Sequence, residues 1–216
     1  MGSPTCPACG APVQFRSAAP YAVCPYCRSL LVRRDASLEA IGRTAEVPDD
    51  LSPLQRGTAG VFEGRHFTLV GRIRKSWAEG SWSEWCANFD QPRFGWLAEA
   101  QGDLVMTFEE PLQALGVDPA ATPGLLERAT PGAAFVIGGR PFTVSDVKAV
   151  SVTAAEGELT SEAITGMTMS SIDLRGPGVS FATIEVARER TCLFVGRFVE
   201  FNECGFSNLR TLEGWG

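Results

Sequence analysis

The stretch Phe67-Thr68-Leu69-Val70-Gly71-Arg72-Ile73-Arg74 decides the fold class. Its apolar and small residues Phe67, Leu69, Gly71 and Ile73 alternate with Thr68, Arg72 and Arg74. Because successive side chains of a β-strand point to opposite faces, this alternation predicts a half-buried strand. The runs 82–90 and 94–100 flank the turn Asp90-Gln91-Pro92-Arg93 and predict a hairpin, and 103–109 predicts a further strand. We therefore predict a mainly β body with few short helices, built as a small barrel or sandwich.

A short motif occurs twice in this body. Gly64-Arg65-His66-Phe67-Thr68-Leu69 aligns with Gly139-Arg140-Pro141-Phe142-Thr143-Val144, 75 residues further along. Each copy follows an apolar run, which predicts an internal repeat. The prediction is thus two related β-rich units, residues 54–110 and 133–216. A connector over residues 111–132, with a short helix at 124–129, joins them.

The N-terminal residues 1–35 contain two CxxC pairs, Cys6 with Cys9 and Cys24 with Cys27. Fourteen residues separate the pairs, and Val13, Phe15, Tyr21 and Val23 in this spacer are enough for a short hairpin that brings the pairs together. Four thiolates match the tetrahedral preference of zinc and leave no position for water, so we predict a zinc ribbon with one structural Zn²⁺. A redox-active CxxC pair and iron in the same four-sulfur cage are the alternatives.

Residues 36–53 are predicted to be the tether between the ribbon and the body. Leu38, Ile41 and Ala45 are spaced as on one face of a short amphipathic helix, and Ser37 is placed to cap its start. Pro48 and Pro53 then end the helix.

Composition and charge limit the functions that the chain can have. It has 216 residues and one histidine, and this scarcity of histidine argues against histidine-based catalysis. The net charge of −6 opposes non-specific binding of nucleic acid by the whole molecule. The chain has no apolar stretch of about 20 residues and no signal-peptide pattern, so a soluble cytoplasmic protein with reduced thiols is expected. The ribbon alone carries +3, from four arginines and Asp35. The arginines are candidate contacts for nucleic acid: Arg16, Arg28, Arg33 and Arg34. They are alternatively solvated, or neutralise the charge of the zinc thiolates.

Aromatic residues are concentrated between positions 77 and 96. Tryptophan favours both cores and recognition surfaces, so a binding groove and plain core packing are both open. The candidate groove residues are Trp77, Trp82, Trp85 and Trp96, with Glu84 and Glu99 beside them. An enzyme that uses Glu84, Glu99 or Cys86 is a further alternative, but no complete catalytic constellation is present, and we predict a non-enzyme.

The body resembles the bacterial domain-of-unknown-function family 4178 from about Ser52 to Phe201. The resemblance rests on Ser52-Pro53-Leu54-Gln55, Val70-Gly71-Arg72-Ile73, Glu84-Trp85, Gly95-Trp96-Leu97-Ala98-Glu99, Gly157-Glu158-Leu159 and Ala182-Thr183-Ile184-Glu185. It implies an accessory role in bacterial envelope stress and no defined activity. Together, these observations predict a non-enzymatic zinc-binding adaptor or binding protein whose partner is another protein. Nucleic-acid binding through the ribbon is the alternative, and the sequence leaves the oligomeric state open.

Overall fold

A computed structural model describes residues 4–34, 37–90, 93–116, 124, 128–188 and 190–211. These residues form 13 strands, all of which pair antiparallel. The strands are β1 (Tyr21–Val23), β2 (Ser29–Arg34), β3 (Ser37–Arg43), β4 (Ala59–Phe62), β5 (Arg65–Trp77), β6 (Gly80–Phe89), β7 (Phe94–Ala100), β8 (Asp103–Glu110), β9 (Ala134–Ile137), β10 (Arg140–Leu159), β11 (Thr168–Arg175), β12 (Ser180–Val186) and β13 (Thr191–Val199). Two short 3₁₀ turns, Leu112–Leu115 and Phe201–Cys204, accompany them.

Eight of the strands form a closed ring. Neighbouring strands pair in the order β5, β6, β7, β8, β13, β12, β11 and β10, and β10 then pairs with β5. Closure depends on the 20 residues of β10, which pair with β11 along one edge and with β9 and then β5 along the other. Ser151 of β10 shows this arrangement, because it pairs with Ser76 on one side and with Thr168 on the other. The predictions of a mainly β protein and of a hairpin across Asp90 are confirmed.

The two halves of the ring have the same connectivity. Each begins with a hairpin, β4–β5 or β9–β10, and continues through three more strands. The two-residue turns also match: φ is 51° and 75° at Glu63-Gly64 and 55° and 77° at Gly138-Gly139, as a type I′ turn requires. The halves meet where Ser76 faces Ser151, 75 residues further along, with their hydroxyl oxygens 3.2 Å apart. The sequence repeat itself stays a prediction.

Many apolar side chains of the ring strands lie on the outer face of the ring, where other elements of the protein cover them. On one side, Trp85 and Met106 pack beneath β4 and the second 3₁₀ turn. On the other, Ile172 and Ile184 pack beneath β9 and the first 3₁₀ turn. Because side chains alternate along a strand, the neighbours of these residues point into the ring. The inside is therefore available to a different set of side chains.

The ribbon is joined to the ring by backbone pairing. β1 pairs with β2 on one side and with the end of β10 on the other, where Tyr21 faces Leu159. Glu158 lies at this junction and is 6% exposed. Its carboxylate accepts hydrogen bonds from the backbone N–H groups of Arg16 and Ser17 (2.6 and 2.9 Å) and from the Ser17 hydroxyl (2.5 Å). The ribbon thus docks on the body through a buried carboxylate, both oxygens of which accept hydrogen bonds from the ribbon.

The predicted helix in the tether is wrong, because Ser37–Arg43 is the strand β3. β2 is buried over Ser29–Val32 and needs a hydrogen-bond partner for its outer edge, which β3 supplies. Three apolar residues at helical spacing were too weak a pattern to outweigh this pairing. The end of the tether is also bonded to the body, since Asp50 accepts hydrogen bonds from Arg72 and from Arg210.

The connector contains the 3₁₀ turn Leu112–Leu115. The helix predicted at 124–129 falls largely on residues 125–127, which lie outside the described residues. Within the described part of the chain, none of the helices has the length and apolar character needed to cross a membrane.

Candidate metal centre and ring cavity

The four ribbon cysteines converge on one point. Their sulfur atoms all lie within 4.8 Å of one another. The Cys6 and Cys27 sulfurs are 3.7 Å apart, and those of Cys9 and Cys24 are 3.8 Å apart. A tetrahedral site with zinc–sulfur bonds of about 2.3 Å has sulfur–sulfur edges of about 3.8 Å. The cluster therefore has the size that a tetrahedral thiolate-bound metal ion requires.

Two matching backbone turns build this cluster. The N–H of Gly10 donates to the carbonyl of Cys6 (2.8 Å), and the N–H of Arg28 donates to the carbonyl of Cys24 (3.0 Å). Both donors have positive φ, 74° at Gly10 and 62° at Arg28. The conformation of Gly10 thus recurs at Arg28, where a side chain makes it less favourable by about 1 kcal/mol. Repetition of one turn places the two CxxC pairs face to face.

The surroundings of the sulfurs differ. Burial raises the pKa of the Cys24 thiol. Although a backbone hydrogen bond at Ala11 acts in the opposite direction, burial and the neighbouring cysteines raise the pKa of Cys9 to about 12. The surroundings of Cys27, in contrast, favour a thiolate. The hydroxyl of Ser29 lies 3.3 Å from the sulfur of Cys27, and this hydrogen bond lowers the pKa of the Cys27 thiol to about 6. Val13 and Leu31 pack against the buried cysteines as a small apolar core. A metal ion, rather than burial of a large core, is thus the natural source of stability for this unit.

Three of the four ribbon arginines have partners within the protein. Arg28 pairs with Glu46 at 2.6 Å, and Arg34 pairs with Glu39 at 3.2 Å. The guanidinium of Arg33 lies 3.9 Å above the ring centre of Phe15. The structure therefore spreads these charges among local contacts instead of presenting them as one free basic patch.

The inside of the ring encloses a cavity of about 390 Å³. Every one of the eight ring strands contributes a side chain to its wall, from Trp77 on β5 to Phe198 on β13. The volume is in the range of pockets that hold small organic molecules, about 300–1,000 Å³. The ring cavity, as we call it, thus lies inside the ring and is partly open to solvent, because the exposed residues Gln101 and Asp103 belong to its wall.

A buried ammonium bonds to two carboxylates of the ring-cavity wall. Lys75 on β5 is 4% exposed at its side chain, and its Nζ lies 2.7 Å from a carboxylate oxygen of Glu84. It also bonds to Glu185 on β12, which reaches in from another part of the ring. Although burial works against the charge, Glu185 and Glu84 hold the pKa of Lys75 above its ordinary value. Beneath this ion cluster the ring is apolar, with Ile73 and Phe194 in one core.

A second ammonium lies nearer the rim. Lys148 on β10 approaches Asp146 at 2.5 Å and Asp173 at 3.8 Å. Its Nζ also lies 5.4 Å from the ring centre of Trp77, within the range of a cation–π contact. Burial raises the pKa of the Asp173 carboxyl above its usual value, although Lys148 acts in the opposite direction. Burial likewise raises the pKa of the Glu185 carboxyl, against the effect of Lys75.

The predicted groove residues divide between the two faces of the sheet. The ring cavity is lined by Trp77, Trp82, Trp96 and Glu84. Trp85 and Glu99 lie on the outer face, where Trp85 is 1% exposed in the core and its indole N–H donates to Glu99 at 3.0 Å. For these two residues the structure matches the core-packing alternative and not the groove.

Sequence reasoning missed the charged residues on β10, β11 and β12. Ser171 and Asp173 alternate with Ile172 and Leu174, and Glu185 follows Ile184 in the same manner. This pattern is the usual one for a strand with a solvent-facing side. Only closure of the ring turns that side into a cavity wall, and a signal for closure would have been the 20-residue length of β10.

The fold and site define a ring of β-strands with an internal polar cavity and an attached four-cysteine ribbon. The family model described as a domain of unknown function, DUF4178, matches residues 55–201, and the chain belongs to this family. The match covers the ring and leaves the ribbon outside. Comparison with curated proteins found no match, and comparison with solved structures found none.

Proposed function

We propose that the protein is a non-enzymatic binding protein and adaptor. The ring cavity takes a small ligand, and the ribbon holds one structural Zn²⁺ and contacts a partner protein. The observation that carries the proposal is the cavity itself, walled by all eight ring strands and lined by both aromatic and charged side chains. Such a combination of apolar walls with a few placed polar groups is typical of small-molecule sites. As a family member, the protein would act as a bacterial, cytoplasmic accessory protein in envelope stress.

Ligand binding can be tested by filling the cavity with a larger side chain. Ala98 lines the wall and is half-buried, so Ala98→Trp should occupy the open space and leave the fold intact. We expect ligand-induced changes in the NMR spectrum or thermal stability of the wild-type protein to disappear in this variant. The matched control is Ala187→Trp, at a half-buried alanine that does not line the ring cavity. A folded Ala98→Trp protein that binds its ligand unchanged would place the binding elsewhere.

For the ribbon, the proposal of zinc rests on the sulfur geometry. Native mass spectrometry should find one zinc per chain, and Cys9→Ser should lose it. Cys204→Ser changes a buried cysteine outside the cluster and should retain the metal. A metal-free chain, or one lighter by the hydrogens lost in disulfides at Cys6, Cys9, Cys24 and Cys27, would contradict the zinc.

A non-enzymatic role is supported by the placement of the candidate catalytic groups. Glu84 lines the ring cavity, whereas Glu99 lies on the outer face, so they do not form an acid–base pair. Burial raises the pKa of the Cys86 thiol to about 12, which disfavours a nucleophilic thiolate at neutral pH. Turnover of any substrate that depended on Glu84, Glu99 or Cys86 would overturn the proposal.

Contact with a partner protein is proposed for the tip of the ribbon. Tyr26 stands between the two ligands of the second CxxC pair and is 68% exposed. Exposed tyrosines are frequent anchors of protein interfaces. A partner captured from the host should be lost with Tyr26→Ala and retained with Leu51→Ala, which alters an even more exposed apolar residue outside the ribbon. Binding that instead follows nucleic acid, and that falls with salt and with Arg28→Glu and Arg33→Glu, would favour the alternative function.

A further inference from the structure

We infer that the ring cavity binds a small organic cation, whose ammonium group lies among the carboxylates of β11 and β12 and whose body packs on the tryptophans. This inference rests on the proposed function, because it names the class of ligand for the same cavity. It follows from two features of the cavity: its charges, both in number and in the way the lysines are shared, and its aromatic walls.

The charges in the ring cavity do not balance. Six acidic side chains line it. Two basic side chains also line it, and a third bonds to two of those carboxylates. The acidic residues are Glu79, Glu84, Asp103, Asp146, Asp173 and Glu185, and the basic ones are Lys75, Lys148 and Arg175. Charges interact more strongly inside a protein than in water, so this excess of negative charge opposes anions and attracts cations.

Each lysine in the cavity is shared between two carboxylates. Lys75 lies between Glu84 and Glu185, and Lys148 lies between Asp146 and Asp173. One ammonium per two carboxylates leaves a negative charge in each group. Glu185 faces Ser171 directly across the strand pair, and Asp173 is two residues further along β11, so the two under-neutralised carboxylates are diagonal neighbours. A ligand ammonium between them would supply the missing charge.

The aromatic walls fit the same class of ligand. Trp77 and Trp82 lie with ring centres 5.5 Å apart, and Trp96 and Phe194 line the deeper part of the cavity. Aromatic faces attract ammonium groups, most strongly where water is excluded. The protein already makes such a contact with its own ammonium, because Lys148 lies over Trp77. A cation with an aromatic or aliphatic body would extend this arrangement.

The experiment compares three probes of similar size and different charge. They are 2-phenylethylammonium, 2-phenylethanol and 3-phenylpropanoate, titrated into the full-length protein with tryptophan fluorescence and NMR as readouts. The ammonium should bind at least tenfold more tightly than the alcohol, and the carboxylate more weakly than both. If the alcohol or the carboxylate binds equally well, the cation inference is overturned while the ligand-binding function stands. If none binds, both fail.

Variants assign the charge to its residues. Glu185→Gln and Asp173→Asn should each weaken binding of the ammonium probe about tenfold and leave binding of the alcohol nearly unchanged. Glu156→Gln removes a carboxylate from the same ring at its ion pair with Arg56, and should change neither affinity. Unchanged ammonium affinity in the folded Glu185→Gln and Asp173→Asn proteins would refute the inference.

The wild-type protein offers a test that needs no variant. A bound cation would lower the raised pKa values of Glu185 and Asp173, so at a pH near those values, where the carboxyls are partly protonated, binding should release protons and strengthen as the pH rises. The other groups that face these carboxylates are Lys75, Glu84, Lys148 and Asp146, and their ion pairs set the background. Calorimetric titration in buffers of different ionisation enthalpy measures the released protons. Proton uptake, or affinity that falls with rising pH, would contradict the inference.

Discussion

Substitution of Glu158 by glutamine tests whether this one carboxylate holds the ribbon against the ring. Glu158→Gln retains the shape of the side chain and removes its charge. In the native protein one carboxylate oxygen accepts from the N–H of Arg16, and the other accepts from the N–H and the hydroxyl of Ser17. An amide has a single acceptor oxygen, so its NH₂ group must face at least one backbone donor.

The expected loss follows from these contacts. A hydrogen bond to a charged acceptor contributes about 1.5–3 kcal/mol, and a buried donor left without a partner costs about 1–3 kcal/mol. Because the hydroxyl of Ser17 can rotate away and the other oxygen still accepts, the net destabilisation should be about 2–4 kcal/mol. We expect this loss in the free energy for detaching the ribbon from the ring, since both donor residues, Arg16 and Ser17, belong to the ribbon.

Hydrogen exchange measures this detachment directly. Amides of β1 should exchange about 30- to 1,000-fold faster in Glu158→Gln than in the wild type. The control is Glu156→Gln, two residues earlier on the same strand, where the half-exposed pair with Arg56 is worth at most about 1 kcal/mol. If Glu158→Gln accelerates β1 exchange no more than Glu156→Gln does, the docking carboxylate is not what holds the ribbon.

Three further predictions concern the ring and its tether. Gly71→Ala should lower the melting temperature sharply, because its Cβ would collide with backbone of the facing β10 strand; Gly64→Ala, at an open turn, is the comparison and should be milder. Cys86 should react with a thiol reagent only after unfolding, since it is fully buried and its pKa is raised to about 12; labelling of the native protein would contradict this. Burial opposes ionisation of Asp50, but the hydrogen bond from Arg72 lowers the pKa of its carboxyl below the ordinary value. The stability that the Asp50 carboxylate contributes should therefore be present at pH values above the ordinary pKa. It should be lost as the pH falls through the lowered pKa. Asp50→Asn should flatten this acid limb in urea unfolding measured across pH, and a steeper limb would refute the assignment.

The sequence was sufficient where local spacing determines geometry. Two CxxC pairs predicted the four-sulfur cluster, because each pair folds as its own turn and only a short hairpin is needed to join them. Alternation in 67–74 predicted the strand β5 but not its irregularity between Leu69 and Gly71. Phe67 and Leu69 consequently lie in the outer core, whereas Ile73 lies in the core that includes Phe194. The tether prediction was wrong, because Ser37–Arg43 pairs with the open edge of β2, which directly precedes it in the chain, and three apolar residues at helical spacing do not reveal that pairing.

The ring cavity shows a different limit. Alternation places Trp82 and Glu84 on one face and Trp85 on the other, but it does not say which face is inside. That depends on β10 pairing with both β11 and β5, a contact between residues about 80 positions apart. Charged residues on the enclosed face then resemble those of an ordinary solvent-facing strand.

The inside of the ring is difficult to explain by stability alone. Small rings of eight strands are usually filled by side chains, and replacing buried ion groups by well-packed apolar residues is often neutral or stabilising. Here the opposite holds: Trp85 and Met106 form an apolar core outside, while the inside contains Lys75 bonded to Glu84 and Glu185 around open space. Sequences depart from the most stable arrangement mainly at functional sites. The costly and unbalanced charges within the ring are therefore the strongest argument that the cavity, and not the outer surface of the ring, is the site selected for binding.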